Sequence, residues 1–526
     1  MVFPALKSMA GEPFHNLRPL YGDMHNHCGI SYGHGSLEDA LSNAEEQLDF
    51  VSITGHAHWP DMPEPEERIQ YIIDFHEEGF ARLKSVWEDA LKRMRERNRE
   101  GEFVIFPGFE MHSCESGDRN MLYRDLEGEL LYPDNLEDLH SQLQLLREEG
   151  KDSIAQPHHV GYRKGTRGID WETFDPRFAP CVEMLSMHGC SENSENTRPF
   201  LHSMGPSDWE STIACGLQKG HVFGFSGGTD HHSGHPGSYG HGRTLLWSED
   251  GSREAIWNAL YDRRLVALTG DRIELQFSVN GAPLGSVIPA TRERKLSIDV
   301  KGGGPIDCVD VIKNGQLLKR FSQTDVEAGP STGALTEARV ELVRTKLYLE
   351  LGWGAKHRSC EWEVEFGIDR GRILSVEPRF RGLEVVSPAE RDSEEGESFY
   401  RSRVTDSSDT AVAFETVSSG NPTNSTPTTQ GMCLEVEMPR SAKVYAVMNG
   451  VRAEHTLDDL IEGARSGSLD HTDAPSWRFH RAPLPHEWNW QFSFVDQAEP
   501  VDGFYYVRVR QLNDQWGWSS PVFLRK

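Results

Sequence analysis

Six short apolar runs in the first half of the chain each lead into side chains of the kinds that bind metals. Any fold of this chain has to bring those six run ends somewhere. The runs are Leu20-Tyr21, Phe50 to Ile53, Phe103 to Phe106, Ser153 to Ala155, Cys181 to Leu185 and Val222 to Phe225. Longer polar stretches with helical spacing lie between them, at Leu37 to Leu48, Glu67 to Glu96 and Leu136 to Glu149. Strands alternating with helices over about 250 residues read as βαβ units, so the expected fold class here is α/β, with a parallel sheet or barrel. In a parallel barrel the strand C-termini converge on one face, and functional groups collect there.

The first run ends in Asp23-Met24-His25-Asn26-His27 and the second in Thr54-Gly55-His56-Ala57-His58. The third ends in Gly108-Phe109-Glu110-Met111-His112 and the fourth in Gln156-Pro157-His158-His159. The fifth carries Glu183 and continues to His188, and the sixth ends in Thr229-Asp230-His231-His232. On extended backbone, side-chain direction repeats every two residues, so His25 and His27 share a side, as do Asp230 and His232. Imidazoles combined with carboxylates favour Zn²⁺, Mn²⁺ or Fe²⁺ over Ca²⁺. One His-x-His is a weak signal, whereas six consecutive run ends of this kind point to a metal site. Of the chain's 23 histidines, 17 fall between His25 and His241. His76, His140, His202 and His221 lie in or beside helical patterns and read as packing or surface residues. His58, His112, His231, His235 and His241 flank the motifs, where a supporting role, a substrate contact and no role are all open.

After Thr269-Gly270 the texture changes to strands, among them Ile273 to Val279, Leu296 to Val300, Val340 to Leu349 and Tyr505 to Gln511. Asn280-Gly281, Asn314-Gly315 and Asn449-Gly450 are hairpin-turn signals. The expected organisation is an N-terminal extension over 1–17, a metal-binding α/β unit over 18–275 and an all-β, sandwich-like domain over 276–526. Within the last, 387–430 is rich in Ser, Thr, Glu and Pro and reads as a mobile excursion, and Leu457 to Arg465 as a short helix.

The formal net charge of −28 argues against nucleic acid as a partner, since such binders carry a basic footprint. No stretch approaches the roughly 20 apolar residues of a membrane span, and Met1 to Leu20 has no signal-peptide pattern. The eight scattered cysteines form no Cys-x-x-Cys pair and suit reduced thiols, so a cytoplasmic protein is expected.

Taken in order, Asp23-x-His25-x-His27, Thr54-x-His56, Gly108-x-Glu110, His158 after a proline, and Asp230-x-His232 resemble the motifs of the PHP (polymerase and histidinol phosphatase) superfamily. The resemblance covers roughly residues 18 to 275. Gly117-Asp118-Arg119-Asn120 and Met187-His188-Gly189 extend it to a poorly characterised branch with an appended β domain. It implies a distorted (β/α)7, TIM-like barrel holding two or three divalent ions. It further implies His25, His27, His56, Glu110, His188, Asp230 and His232 as ligands, Glu110 as a bridge, Asp23 as support behind the histidines, and His34 as a ligand to a third ion. Two positions depart from the family. Thr54-Gly55-His56 stands where the family has Thr-Asp-His, and Gln156-Pro157 stands where it has His-Pro, which leaves His158 and His159 as alternative ligands.

Two or three divalent ions acidify a bound water and clamp the reacting oxygens. The expected activity is hydrolysis of a small, soluble, anionic phosphate ester by metal-activated hydroxide. His159 or His231 would protonate the leaving group, and Arg119 would bind the anion, ahead of Arg163, Lys164, Arg167 and Arg243. Hydrolysis of a carboxyl ester, lactone or amide at the same centre is the alternative, and a non-catalytic metal-binding scaffold is the second.

Overall fold

The computed structural model describes residues 12–326, 342–356, 358–382, 402–420 and 427–526. The architecture is mixed α/β and mostly sheet.

In the first half the helices sit where the apolar spacing puts them. Helix α1 (Leu37–Glu45) buries Leu37, Ala40, Leu41 and Ala44, and the Ser36 side chain caps it by accepting from the Asp39 N–H. Helix α2 (Gln70–Arg97) buries Ile73, His76, Leu83, Trp87, Leu91 and Met94 along one stripe. Helix α3 (Leu136–Glu148) is capped by Asn135 and buries Leu136, Leu139, Leu143 and Leu146. Helices α4 (Ile213–Gln218) and α5 (Arg253–Tyr261) complete the set.

The strands are β1 (Arg18–Asp23), β2 (Phe50–Val51), β3 (Thr54–His58), β4 (Val104–Ile105), β5 (Gly108–Met111), β6 (Arg119–Tyr123), β7 (Ser153–Pro157), β8 (Cys181–Ser186), β9 (Gly189–Cys190), β10 (Gly224–Gly227), β11 (Arg243–Ser248) and β12 (Leu265–Leu268). Pairs β1–β2, β2–β4, β3–β5 and β8–β10 are parallel. The hydrogen bonding does not, however, close the expected distorted (β/α)7 barrel. Strand β6 enters antiparallel between β5 and β7, and β11 lies antiparallel to β1, so the strands of the first half fall into three separate sheets. β5 turns into β6 through the loop 112–118 with no helical crossover, so β6 runs back antiparallel to it, and α3 lies between β6 and β7.

The largest sheet also crosses the expected boundary at 275/276. β12 pairs with Trp516–Ser519, and the sheet continues through Gly503–Gln511 and Val522–Arg525.

The β-rich half consists of two sandwiches, one inserted in the other. The first pairs Glu274–Val279, Glu293–Lys301 and Asn489–Gln497, and packs them on Ile306–Lys313 and Gly503–Gln511 through Phe277, Ile298, Val309 and Val507. The second interrupts it and holds two five-stranded sheets around Leu347, Leu349, Trp362, Phe366, Phe414 and Leu434. The three Asn-Gly pairs form two-residue hairpin turns with positive φ at both residues (51° and 79° at Asn280-Gly281), a conformation that asparagine and glycine tolerate. The 387–430 stretch, expected as an excursion, contains strands Arg403–Ser407 and Ala411–Ser419, which pair within the second sandwich. Its residues 387–401 and 421–426 lie outside the described residues. Leu457–Glu462 is helical, as its spacing indicated.

One buried knot ties the three units together. Asp271 accepts from Tyr239 Oη (2.6 Å), Gln511 Nε2 (2.5 Å) and Asn513 Nδ2 (2.9 Å), and Arg379 Nη1 lies 3.1 Å away. Tyr239 belongs to the loop that follows Asp230 and His232, so both sandwiches brace that loop. Among the described residues no helix is long and apolar enough to cross a membrane.

Candidate metal centre

Five of the six motif-bearing run ends meet around Glu110, and the fifth run adds His188 through Asp230. β1 leads into His25 and His27, whose shared direction places both Nε2 atoms beside the same two carboxylates. They lie 3.2 and 3.1 Å from Asp230 Oδ1, and 3.7 and 3.2 Å from Glu110 Oε2. The parallel register of β3 and β5 sets His56 opposite Glu110, with Nε2 3.5 Å from the same oxygen. The other oxygen, Oε1, faces a separate pair: His112 Nδ1 and His158 Nε2, each at 3.1 Å. Asp118 extends that side, with His112 Nδ1 and His159 Nε2 each 3.3 Å from Oδ2. His188 Nε2 lies 3.0 Å from Asp230 Oδ2. None of these groups exposes more than 8% of its surface.

The residues fit divalent cations. Four groups have all their ligand atoms within 4.8 Å of one another: His25/His27/Glu110, His27/His56/His232, His56/Glu110/His112 and Glu110/Asp118/His158/His159. His25 Nε2 and Glu110 Oε2 are buried without a hydrogen-bond partner. Buried polar atoms are nearly always partnered, and these two point at each other's neighbourhood from opposite elements. The donor set of imidazoles and carboxylates suits transition-series ions.

A supporting layer orients the clustered side chains. His25 Nδ1 hydrogen-bonds Glu183 Oε2 at 2.7 Å, which turns Nε2 toward the cluster. The other Glu183 oxygen accepts from the His159 N–H. Gly228 makes room for this contact, because a Cβ there would sit 2.6 Å from Glu183 Oε2 and 2.7 Å from His25 Cβ. Asp23 supports the backbone: it accepts from the His25, Thr229 and Gly237 N–H groups and from Thr229 Oγ1. Asp230 takes φ = 53°, a left-handed conformation that aspartate tolerates, while its N–H bonds His25 O at 2.7 Å.

Burial and charge prepare the ligands. Burial pushes His56, His159 and His232 well below the ordinary histidine range, and lowers His27 less, since Asp230 and Glu110 oppose it. Burial opposes the charge of Glu110, but His112, His158 and His56 hold its carboxyl low. His25 and His188 do the same for Asp230, and Arg167 does so for Asp118. Burial also works against a charged His25, yet Asp230 and Glu183 hold its proton on. Asp23 is pushed up to about 6 by burial.

The structure brings His25, His27, His56, Glu110, His158, His188, Asp230 and His232 together, and His159 with them. Three expected residues sit elsewhere. The Arg119 guanidinium donates to the carbonyls of Ser116 and Gly117 and does not face the cluster. His231 stacks on His241 with ring centroids 5.5 Å apart, away from the carboxylates. His34 is half-buried, its N–H bonds His232 O, and its side chain joins none of the ligand-atom groups.

The cation at the site is Arg167, which bonds Asp118 through Nε at 2.6 Å, contacts His112 and lines the cavity above the cluster. Asp118, His112 and Glu183 also belong to the site. His112 stands two residues from Glu110, the same spacing that made His25 and His27 legible. Nothing local in the sequence marks Arg167. Cys28 and Cys190 are buried, and burial pushes both thiols up to about 12, so neither is a ready nucleophile.

No family model matches the chain. It is 31% identical over 171 residues to an uncharacterised protein of Chlamydia muridarum, covering 29% of this chain and 28% of that protein. It is 27% identical over 257 residues to one of Chlamydia pneumoniae, covering 45% and 41%. The chain thus spans less than half the length of these relatives. A crystal structure of a two-domain protein from Bacteroides vulgatus, described as containing a predicted PHP-like metal-dependent phosphoesterase, aligns with 57% of this chain and 80% of its own. The sequence identity is 16% and the TM-score 0.30.

Proposed function

We propose that the chain is a metal-dependent hydrolase acting on a small, soluble phosphate ester. The observation that carries this reading is Glu110, whose two oxygens face two different sets of imidazoles, as a carboxylate shared between ions must. His25, His27, Glu110 and Asp230 would hold one ion, and Glu110 with His158 and the Asp118 side would hold another. Such ions, when bound, would acidify water and offset the charge of a phosphate.

The remaining work falls to the chain itself. Arg167 presents a guanidinium at the cavity wall, oriented by Asp118, in position to fork onto phosphate oxygens. His159 lines the same cavity and is kept neutral by burial, so it enters the reaction as a proton acceptor and donates afterwards. Burial of the whole cluster excludes bulk water and strengthens each of these interactions.

The test is a panel of phosphate monoesters run beside lactones and carboxyl esters, on protein loaded with Zn²⁺ or Mn²⁺. Phosphate esters are expected to turn over, with activity lost in His25→Ala and Asp230→Ala. Turnover of the carboxyl esters or lactones alone, or activity unchanged by Asp230→Ala, would overturn the reading.

A further inference from the structure

The cavity above the cluster has two unlike halves. Its floor is Glu110, Asp230 and the ligand histidines, while its outer wall is aromatic. From the floor outward, Tyr32 stacks on His56 with centroids 3.5 Å apart and planes 19° apart. Phe75 meets the edge of Tyr32 at 5.0 Å, and Tyr71 follows Phe75 at 6.4 Å. Tyr71 and Phe75 are four residues apart on α2 and therefore share a face. Tyr71 is 59% exposed at the cavity mouth, beside Phe75. Met204 forms the facing wall beside Arg167, and its sulfur is a favourable neighbour for a ring.

Among the described residues lining the outer half there is no carboxylate, asparagine or glutamine; its polar groups are His76, His202, Ser203 and the tyrosine hydroxyls. The cavity volume of about 180 Å³ is small beside the roughly 300–1,000 Å³ of pockets that take drug-sized ligands. It has room for an anionic head at the floor and one small group above it. Aromatic pairs prefer offset or edge contacts with centroids roughly 4.5–7 Å apart, and the ladder from His56 to Tyr71 already runs at or below that interval.

We propose that the strip of Tyr32, Phe75 and Tyr71 is the leaving-group subsite, and that the substrate is a phosphate monoester bearing one planar ring. This rests on the phosphoesterase reading for the head group alone; the ring preference is a separate claim.

Two probes that differ only in planarity test it: benzylphosphonate and cyclohexylmethylphosphonate, titrated calorimetrically into the metal-loaded full chain. The corresponding phosphate monoesters, whose leaving alcohols are chemically alike, are then compared as substrates. The planar probe is expected to bind about three- to tenfold more tightly. Tyr71→Ala and Phe75→Leu should each reduce that ratio toward one, with metal content as in the wild type. Equal binding of the two probes, or a preference that survives both substitutions, would overturn the proposal. Turnover of both phosphates at equal efficiency would overturn it too, while leaving the phosphoesterase reading in place. Ring-selective binding without turnover of either ester would sustain the subsite and sink the phosphoesterase reading.

Discussion

Glu110 and Asp271 are both buried carboxylates, and the molecule surrounds them in opposite ways. Asp271 is closed by its neighbours: a tyrosine hydroxyl, two side-chain amides and the Arg379 guanidinium account for its oxygens and its charge. Glu110 is ringed by five imidazoles at 3.1 to 3.7 Å, and its Oε2 has no hydrogen-bond partner. The first arrangement is complete as protein and holds three units together. The second makes chemical sense as a ligand set. Burial of charge is common to both, so the distinguishing mark is the donor set: Asp271 is met by hydroxyl, amide and guanidinium donors, whereas Glu110 is met by imidazoles, with the Arg167 guanidinium no nearer than 3.8 Å.

The comparison can be broken most severely at Asp271. Replacing it with alanine removes one of the two carboxylates paired with the buried Arg379, leaving Glu377 at 3.2 Å, and takes the acceptor from Tyr239, Gln511 and Asn513, which is expected to cost about 3 kcal/mol of unfolding free energy in urea titration, with or without added metal. Stability of wild type in the presence of metal would undermine the idea that the two sites differ if Asp271→Ala lost its metal response as well. At Glu110 the expected effect is conditional. Zn²⁺ or Mn²⁺ at a hundredfold excess over its dissociation constant should stabilise wild type by about 2.7 kcal/mol, and Glu110→Gln should lack that gain in thermal denaturation.

Smaller effects sharpen the contrast. Glu183 reaches the cluster through His25 Nδ1 and the His159 N–H, so Glu183→Gln should weaken metal binding roughly 10- to 100-fold, measured by competition with a chelating dye, while the fold stays intact. An unchanged affinity would remove Glu183 from the supporting layer.

Glu435, in the second sandwich, is a self-neutralised carboxylate like Asp271. Burial would raise it, but Lys346, Lys301 and Arg344 hold it down to about 2. A depressed folded-state pKa gives stability that is full above the ordinary carboxylate value of about 4.3 and is lost as pH falls from there toward 2. Because Arg344 is half exposed and screened, Glu435→Gln should cost only about 1 kcal/mol at pH 7, with the two proteins converging near pH 2 to 3 in denaturation curves. A gap that persisted at low pH would contradict the assignment.

Much of this was legible from local rules. Helices α1 to α3 follow from apolar spacing, and the Asn-Gly turns from the positive-φ backbone that these residues tolerate. The convergence of His25, His27 and Glu110 follows from the period-two rule at run ends. Two features were not legible. Strand β6 follows β5 directly and pairs back on it, but its residues were not among the apolar runs. The insertion of one sandwich into another is set by which distant strands meet, and no local pattern specifies that. Arg119 and Arg167 were both loop-adjacent cations in the sequence. Once Asp118 faces the cluster, its neighbour Arg119 on extended backbone faces away, and a residue 49 positions from Asp118 supplies the charge. His231, between Asp230 and His232, is turned outward in a similar way, with the left-handed Asp230 before it.

The central claim is that Glu110 shares its carboxylate between ions that the chain's histidines hold. Elemental analysis of the purified chain, loaded with Zn²⁺ or Mn²⁺ and then exhaustively dialysed, tests it most directly alongside Glu110→Gln. The account predicts about two or three ions per wild-type chain, as a shared-carboxylate centre requires, and at most one in the variant. A wild-type content of one or none, or equal content in the two proteins, would contradict it.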